Sequence, residues 1–223
     1  MKNALAEETH WEKAAKTRMG KYLTQVETDF IFNSIAHSPL HTILDVGAET
    51  GRFSLLKTDT NAMTIGIDLD SYGLKRLKLK AEDAVVIQAD ARKIPLKDDV
   101  FDAVFMIEVM DYIPEAEETL KECHRTLKPH ASLILSFGNS SSLKANLRRI
   151  RGKSYRHSYG AVMRFLSQTG FTVKRKVGYS WLPLGRTSES RLVSFLAVTE
   201  KIFGLRRIPR FSPWVIVHAE KAE

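Results

Sequence analysis

Ile43-Leu44-Asp45-Val46-Gly47-Ala48-Glu49-Thr50-Gly51-Arg52-Phe53 reads as a strand, a tight glycine turn and the start of a helix from about Arg52. The run His41 to Val46 is short and rich in β-branched residues, as strands are. Gly47 and Gly51 allow the close turn that brings backbone N–H groups against a ligand. In a doubly wound parallel sheet, ligands bind at the carboxyl ends of the strands, where such a turn lies. An acidic residue about 20 positions later should then meet a ribose diol. Asp68, closing Ile65-Gly66-Ile67-Asp68-Leu69-Asp70, stands at that spacing. Its carboxylate can accept both hydroxyls in one bidentate contact.

Outward from this stretch, strands and helices alternate. Ala62–Ile67, Ala84–Gln88, Phe101–Ile107 and Ala131–Phe137 have strand character, and Ser71–Ala81 reads as a basic helix. The run Phe101–Ile107 is nearly all apolar, as expected of a strand buried on both faces. Pro114 opens a further helix, with Glu115, Glu117 and Glu118 at its positive end. Beyond residue 137, Tyr159–Gln168 reads as a helix closed by Gly170, Phe171–Tyr179 and Trp214–Ala219 as strands, and the Leu192–Phe203 region as the helix between them. Upstream, Ala4–Ala36 is helical by its apolar period, with Gly20 as the expected break and Pro39 as the stop. The pattern is α/β: right-handed βαβ units forming a parallel sheet with helices on both faces.

Composition bounds the rest. The chain has 223 residues, 43% of them hydrophobic, enough for one core. Its one cysteine, Cys123, falls in a helical stretch and reads as a packed small hydrophobe; a lone thiol fits a cytoplasmic protein. No apolar run approaches the roughly 20 residues of a spanning helix, and no secretory leader is read at the N-terminus. The formal charge is +8, unevenly spread: residues 139–210 carry 16 Lys or Arg against Glu189 and Glu200, a local +14. That asymmetry fits either an anionic partner or a solvated basic face. No metal-ligand spacing is read.

Several motifs occur in one order. Leu44-Asp45-Val46-Gly47 with Gly51 is followed by Asp68, then by Gln88-Ala89-Asp90-Ala91 with Ile94-Pro95-Leu96 and Val100-Phe101-Asp102, and finally by Leu127-Lys128-Pro129 before Ser132-Leu133-Ile134-Leu135. This set resembles the class I S-adenosylmethionine-dependent methyltransferases of the ubiquinone/menaquinone-biosynthesis type (methyltransferase type 11), over about residues 40–137. The resemblance implies a seven-stranded, mostly parallel Rossmann-like sheet with an antiparallel last strand. It implies an N-terminal helical lid over residues 1–38, a cofactor domain over 39–223, and basic acceptor-side insertions at about 139–160 and 180–212. It implies binding of S-adenosylmethionine, with S-adenosylhomocysteine as product, by Asp45, Gly47, Ala48, Glu49, Gly51, Asp68, Leu69, Asp90, Ala91 and Ile107. Within the lid, Trp11, Met19 and Tyr22 could line the site, although their helical spacing fits core packing equally.

Two positions depart from the family pattern. Glu49 replaces its middle glycine and His130-Ala131 its glycine pair. If residue 49 needs positive φ, a side chain there costs affinity; tolerance is the expectation, because Gly47 and Gly51 remain. The glutamate, with Arg52 where a dinucleotide fold wants Gly or Ala, also weakens a nicotinamide dehydrogenase reading.

Methyl transfer from a sulfonium is an in-line displacement that needs alignment and exclusion of water. A hydroxyl acceptor adds the need for a general base. Asp111, Tyr112 and His157 are candidates, none singled out, and Asp111 could instead cap the helix at Pro114. The acceptor is expected to be a small or lipid-linked anionic molecule, given Lys144, Arg148, Arg149, Arg151, Lys153 and Arg156, the cluster Arg206, Arg207 and Arg210, and the greasy Trp181-Leu182-Pro183-Leu184. Peripheral contact with a membrane goes with that reading. RNA methylation and a non-catalytic module weakened by Glu49 are the alternatives. The sequence leaves oligomeric state open.

Overall fold

The computed structural model of the chain describes residues 7–36, 39–56, 62–149 and 157–222, with side chains outside 147–149. Seven strands form one sheet: β1 (Thr42–Val46), β2 (Met63–Asp68), β3 (Val85–Gln88), β4 (Phe101–Met106), β5 (Leu127–Gly138), β6 (Phe171–Tyr179) and β7 (Trp214–Lys221), in the order β3-β2-β1-β4-β5-β7-β6. Only β7 runs against its neighbours, pairing antiparallel with both β5 and β6. This is the expected fold class. The strand order reverses where β1 lies between β2 and β4, so a crevice opens above their carboxyl ends.

The helices are α1 (His10–Lys16), α2 (Arg18–Ile35), α3 (Ser71–Lys80), α4 (Ala116–Thr126), α5 (Leu143–Arg149), α6 (Tyr159–Gln168) and α7 (Leu192–Ile202). Alternating strand residues feed two cores, as a pleat of period two requires. Leu44, Val104, Leu133 and Val217 point to one face, covered by α4 and α6 through Leu120, Cys123, Val162 and Leu166. Ile43, Phe105, Ile134 and Ile216 point to the other, covered by α2 and α7 through Phe30, Ile31 and Val193. Each such buried side chain is worth about 1.5–3 kcal/mol.

Several boundaries differ from the sequence reading. The N-terminal helix breaks at Thr17, not at Gly20. The Thr17 hydroxyl accepts from the Gly20 N–H at 3.0 Å and so caps α2. Gly20 is needed because a Cβ there would lie 1.9 Å from the Ala14 carbonyl oxygen. Residues 51–55 are turns rather than a helix start. The helix expected at Pro114 begins at Ala116, and Asp111 does not cap it. β5 starts four residues early. Its register moves from Phe101–Leu127 to Ala103–Ser132, so Pro129 and left-handed His130 (φ 62°) sit in an irregularity inside the strand.

Candidate functional site

The crevice is a cleft of 2020 Å³, ample for a nucleoside-sized ligand together with a second molecule. Its floor is the turn after β1. Gly47 (φ 76°) and Gly51 (φ 86°) take the left-handed conformation. The Gly47 and Ala48 N–H groups donate to the Ile67 carbonyl at 2.8 and 3.0 Å, which pins the turn to the end of β2. A Cβ on Gly47 would come within 2.2 Å of Val109 Cγ2, so the glycine also lets the loop after β4 close on this turn.

Asp68 ends β2 on the cleft wall. One carboxylate oxygen accepts from the Glu49 N–H at 2.9 Å and the other from the Asp70 N–H at 2.8 Å. Each oxygen keeps a second acceptor site. Burial raises the Asp68 pKa, against the pull of those two N–H groups. Across the cleft, Asp90 is gripped by Arg92, at 2.7 Å in the closest contact, and that guanidinium lowers its pKa. Leu69, Ala91 and Ile107 supply apolar wall between the two acids. Of the ten cofactor positions implied by the sequence, all but Asp45 line this space. Asp45 is buried beneath the turn, where its carboxylate accepts from the Ser54 hydroxyl and burial pushes its pKa up to about 7.

Glu49 also takes the left-handed conformation, at φ 45°. Its carboxylate turns back on its own loop, accepting from the Thr50 N–H and hydroxyl at 2.7 and 2.6 Å. Of the three family glycines that this chain replaces, those at Glu49 and His130 keep the left-handed backbone that glycine favours, and the one at Ala131 does not. Left-handed φ costs a non-glycine residue about 1–2 kcal/mol. Glu49→Gly is accordingly expected to be more stable than Glu49→Ala by about 1 kcal/mol, the reverse of the usual order in ordered structure. Both variants lose the Thr50 contacts, so equilibrium denaturation of the pair isolates the backbone contribution.

The three candidate bases separate. Asp111 and Tyr112 line the cleft. Asp111 accepts from the Gly138 N–H at 3.1 Å, and Tyr112 meets Trp11 edge-on with centroids 6.2 Å apart. His157 is buried outside the lining, with Nε2 3.1 Å from the carbonyl oxygens of both Met110 and Ile113. That position serves to tie the loop after β4 to the start of α6. Of the basic residues singled out in the sequence, Arg151, Lys153 and Arg156 lie outside the described residues.

The sequence reading missed a charge cluster in the cleft wall, formed by Arg52, Glu108 and Arg186 with Glu27 buried behind them. Glu27 of α2 is fully buried. It accepts from the Tyr179 hydroxyl at 2.6 Å and faces Arg52 Nη1 at 3.4 Å. Glu108, just past β4 at φ 63°, pairs with Arg52 Nη2 at 3.2 Å and with Arg186. One oxygen of each glutamate, Glu27 Oε2 and Glu108 Oε1, is buried with no ordinary hydrogen-bond partner. The two carboxyl groups act on each other's ionisation. Burial and then the charge of Glu108 raise Glu27, so the proton stays there, while Arg52 and Arg186 hold Glu108 ionised against burial. A sequence signal existed: Glu27 falls on the apolar stripe Leu23, Phe30, Ile31 of α2, where an unpartnered carboxylate is improbable.

The roof comes from α1 and residues 181–190. Glu12 is the reciprocal residue of the capping box with Thr9, and it also holds Arg76 Nε at 2.6 Å and Lys80 at 2.8 Å on α3. Burial opposes its ionisation, yet these cations bring its pKa down to about 2. At the other end of α1, Thr17 Oγ1 lies 3.0 Å from the Arg186 carbonyl oxygen, and the Arg186 guanidinium stacks over Trp11 at 5.1 Å.

A family profile described as a methyltransferase domain matches residues 44–135. Sterol methyltransferase-like 3 of Botryococcus braunii is 36% identical over 103 residues, 43% of this chain and 26% of that protein. The chain thus spans about a quarter of that relative's length. Ubiquinone biosynthesis O-methyltransferase of Pseudomonas fluorescens is 26% identical over 186 residues, 74% of this chain and 78% of that protein. Among solved structures, the N-methyltransferase NodS of Bradyrhizobium japonicum, in complex with S-adenosyl-L-homocysteine, superposes with a TM-score of 0.67 at 13% identity, over 100% of this chain and 96% of that one. This last likeness is one of fold.

Proposed function

We propose that the chain, whose residues 44–135 match a methyltransferase-domain profile, binds S-adenosylmethionine in the cleft and passes its methyl group to a small-molecule or lipid-linked acceptor. The observation that carries the reading is Asp68: a carboxylate on the cleft wall, fixed by two backbone N–H groups, with an acceptor site left on each oxygen. When bound, the cofactor supplies a methyl group already activated on a sulfonium. Asp68 accepts from the ribose hydroxyls, Asp90 and the Ala91 backbone take the edge of the base, and the Gly47–Gly51 turn supports the amino-acid end. Trp11, Tyr112 and Arg186 close over the reacting centre and keep water out.

The acceptor side is lined by Trp181, Pro183, Leu184 and Phe211, which suits an apolar body. Its polar wall is the charge cluster. With Glu27 protonated, two guanidinium groups face the single negative charge of Glu108. The net positive charge suits an anionic group on the acceptor. Asp111, one of the carboxylates lining the cleft, is the group to which we assign receipt of a hydroxyl proton.

Titration calorimetry with S-adenosylhomocysteine should show one site per chain, and a labelled-methyl assay on lipid and small-molecule fractions should yield a labelled product. Absence of heat at millimolar ligand would overturn the reading. Asp111→Asn is expected to lower kcat by about 100-fold with S-adenosylhomocysteine affinity unchanged, if the acceptor is a hydroxyl.

A further inference from the structure

The side of α7 that faces solvent is apolar. Val193 and Glu200 are 3% and 1% exposed and face the core. A helix of about 3.6 residues per turn places Phe195, Val198 and Ile202 on the opposite side. Phe195 is 66% exposed, Ile202 74% and Phe203 75%. A contiguous exposed patch of this kind marks an interaction surface.

Its surroundings are cationic. Arg191, Lys201, Arg207 and Arg210 are exposed around it. From residue 190 to 219 the sequence holds one acid, Glu200. That carboxylate is buried beneath the helix, accepting from the Tyr22 hydroxyl at 2.6 Å and the Trp181 N–H at 3.1 Å. No described helix is long and apolar enough to cross a membrane. Large apolar side chains inside a ring of unopposed Arg and Lys are the chemistry of a segment that lies in the interface of an anionic bilayer. The surface also continues to the cleft: the 3-10 turns Leu205–Arg207 and Pro209–Phe211 lead from α7 to Phe211, which lines the opening together with Leu143. Those two residues are 57% and 72% exposed.

We propose that the outer face of α7 and the segment through Phe211 dock on an anionic phospholipid surface, with the mouth of the cleft turned toward the lipid. The docking stands on these exposed residues alone. The entry of a lipid acceptor from the bilayer rests on the methyl-transfer reading above.

The test is flotation of the full chain with vesicles of phosphatidylcholine alone and of phosphatidylcholine mixed with phosphatidylglycerol. The chain is expected to float with the mixed vesicles, less so as salt rises. The double variant Phe195→Ser/Ile202→Ser should lower partitioning by at least about tenfold, because two large apolar contacts are removed. Arg207→Gln/Arg210→Gln should abolish the preference for the anionic lipid. Both pairs are exposed, so melting temperature and S-adenosylhomocysteine binding should stay as in the parent chain. Failure of the parent chain to float, or equal flotation of the Phe195/Ile202 variant, would overturn the docking. So would light scattering that shows a dimer which this variant dissolves, since a second copy would then own the face. Flotation without S-adenosylhomocysteine binding would keep the docking and remove the methyl-transfer reading.

Discussion

Replacing Glu108 by alanine is expected to cost about 3–5 kcal/mol of stability, because it takes away the carboxylate that Arg52 and Arg186 share and leaves Arg52 only Glu27, at 3.4 Å, to face. Arg52 and Arg186 both use this carboxylate, and their side chains are only 23% and 18% exposed. Both line the cleft, so solvent there compensates them only in part. For a domain of this size the change corresponds to a fall in melting temperature of roughly 6–20 °C. Glu108→Gln should lie between, since the amide oxygen can still accept one hydrogen bond. Glu27 should behave oppositely. It is already neutral, so Glu27→Gln keeps the acceptor for the Tyr179 hydroxyl and removes only the titration.

The sign of the pH dependence follows. The folded pKa of Glu27 is pushed up to about 8 from 4.5. The folded protein therefore holds a proton that the unfolded chain has lost, and stability falls as pH rises between those values. Asp45, pushed up to about 7, acts in the same direction over a narrower range. Denaturation midpoints measured from pH 5 to 9 should decline more steeply for the parent chain than for Glu27→Gln. Parallel curves would mean that Glu27 is not the protonated member of the pair.

Asp68→Ala is expected to weaken S-adenosylhomocysteine binding by about 100-fold or more. On the proposed reading two charge-assisted hydrogen bonds to the ribose are removed, at about 1.5–3 kcal/mol each, and each 1.4 kcal/mol is tenfold in affinity. The turn also loses a support, because the Glu49 N–H is left without its 2.9 Å acceptor. Stability should fall by only about 1–3 kcal/mol, the usual penalty for leaving such donors unpaired. Calorimetry and thermal denaturation on the same sample separate the two effects. An unchanged affinity would remove the ribose from Asp68.

Asp68 and the Gly47–Gly51 turn were legible because local chemistry and spacing along a βαβ unit determine them. The parallel α/β sheet followed from the same alternation, whereas its antiparallel last strand was implied only by the family resemblance. The charge cluster was not legible as a unit, since α2, the turn after β1, the end of β4 and residue 186 meet only in the folded chain. Glu27 showed as an anomaly in an apolar stripe, but nothing local named Glu108 as its neighbour. The break at Thr17 was missed because glycine was read as the breaker, whereas the hydroxyl that could satisfy the next turn's N–H decides the boundary. The early start of β5 was hidden by Pro129, which reads as punctuation but is absorbed by the irregularity around His130.

Glu27 belongs to the segment that the sequence set apart as a lid, yet it sits inside the body of the protein. A version of the chain begun at residue 39 would lose the hydroxyl acceptor of Tyr179 and uncover the flank of the sheet at Ile43 and Phe105. Residues 7–36 are thus half cover and half foundation. Excising α2 in search of a minimal catalytic fragment should give insoluble material.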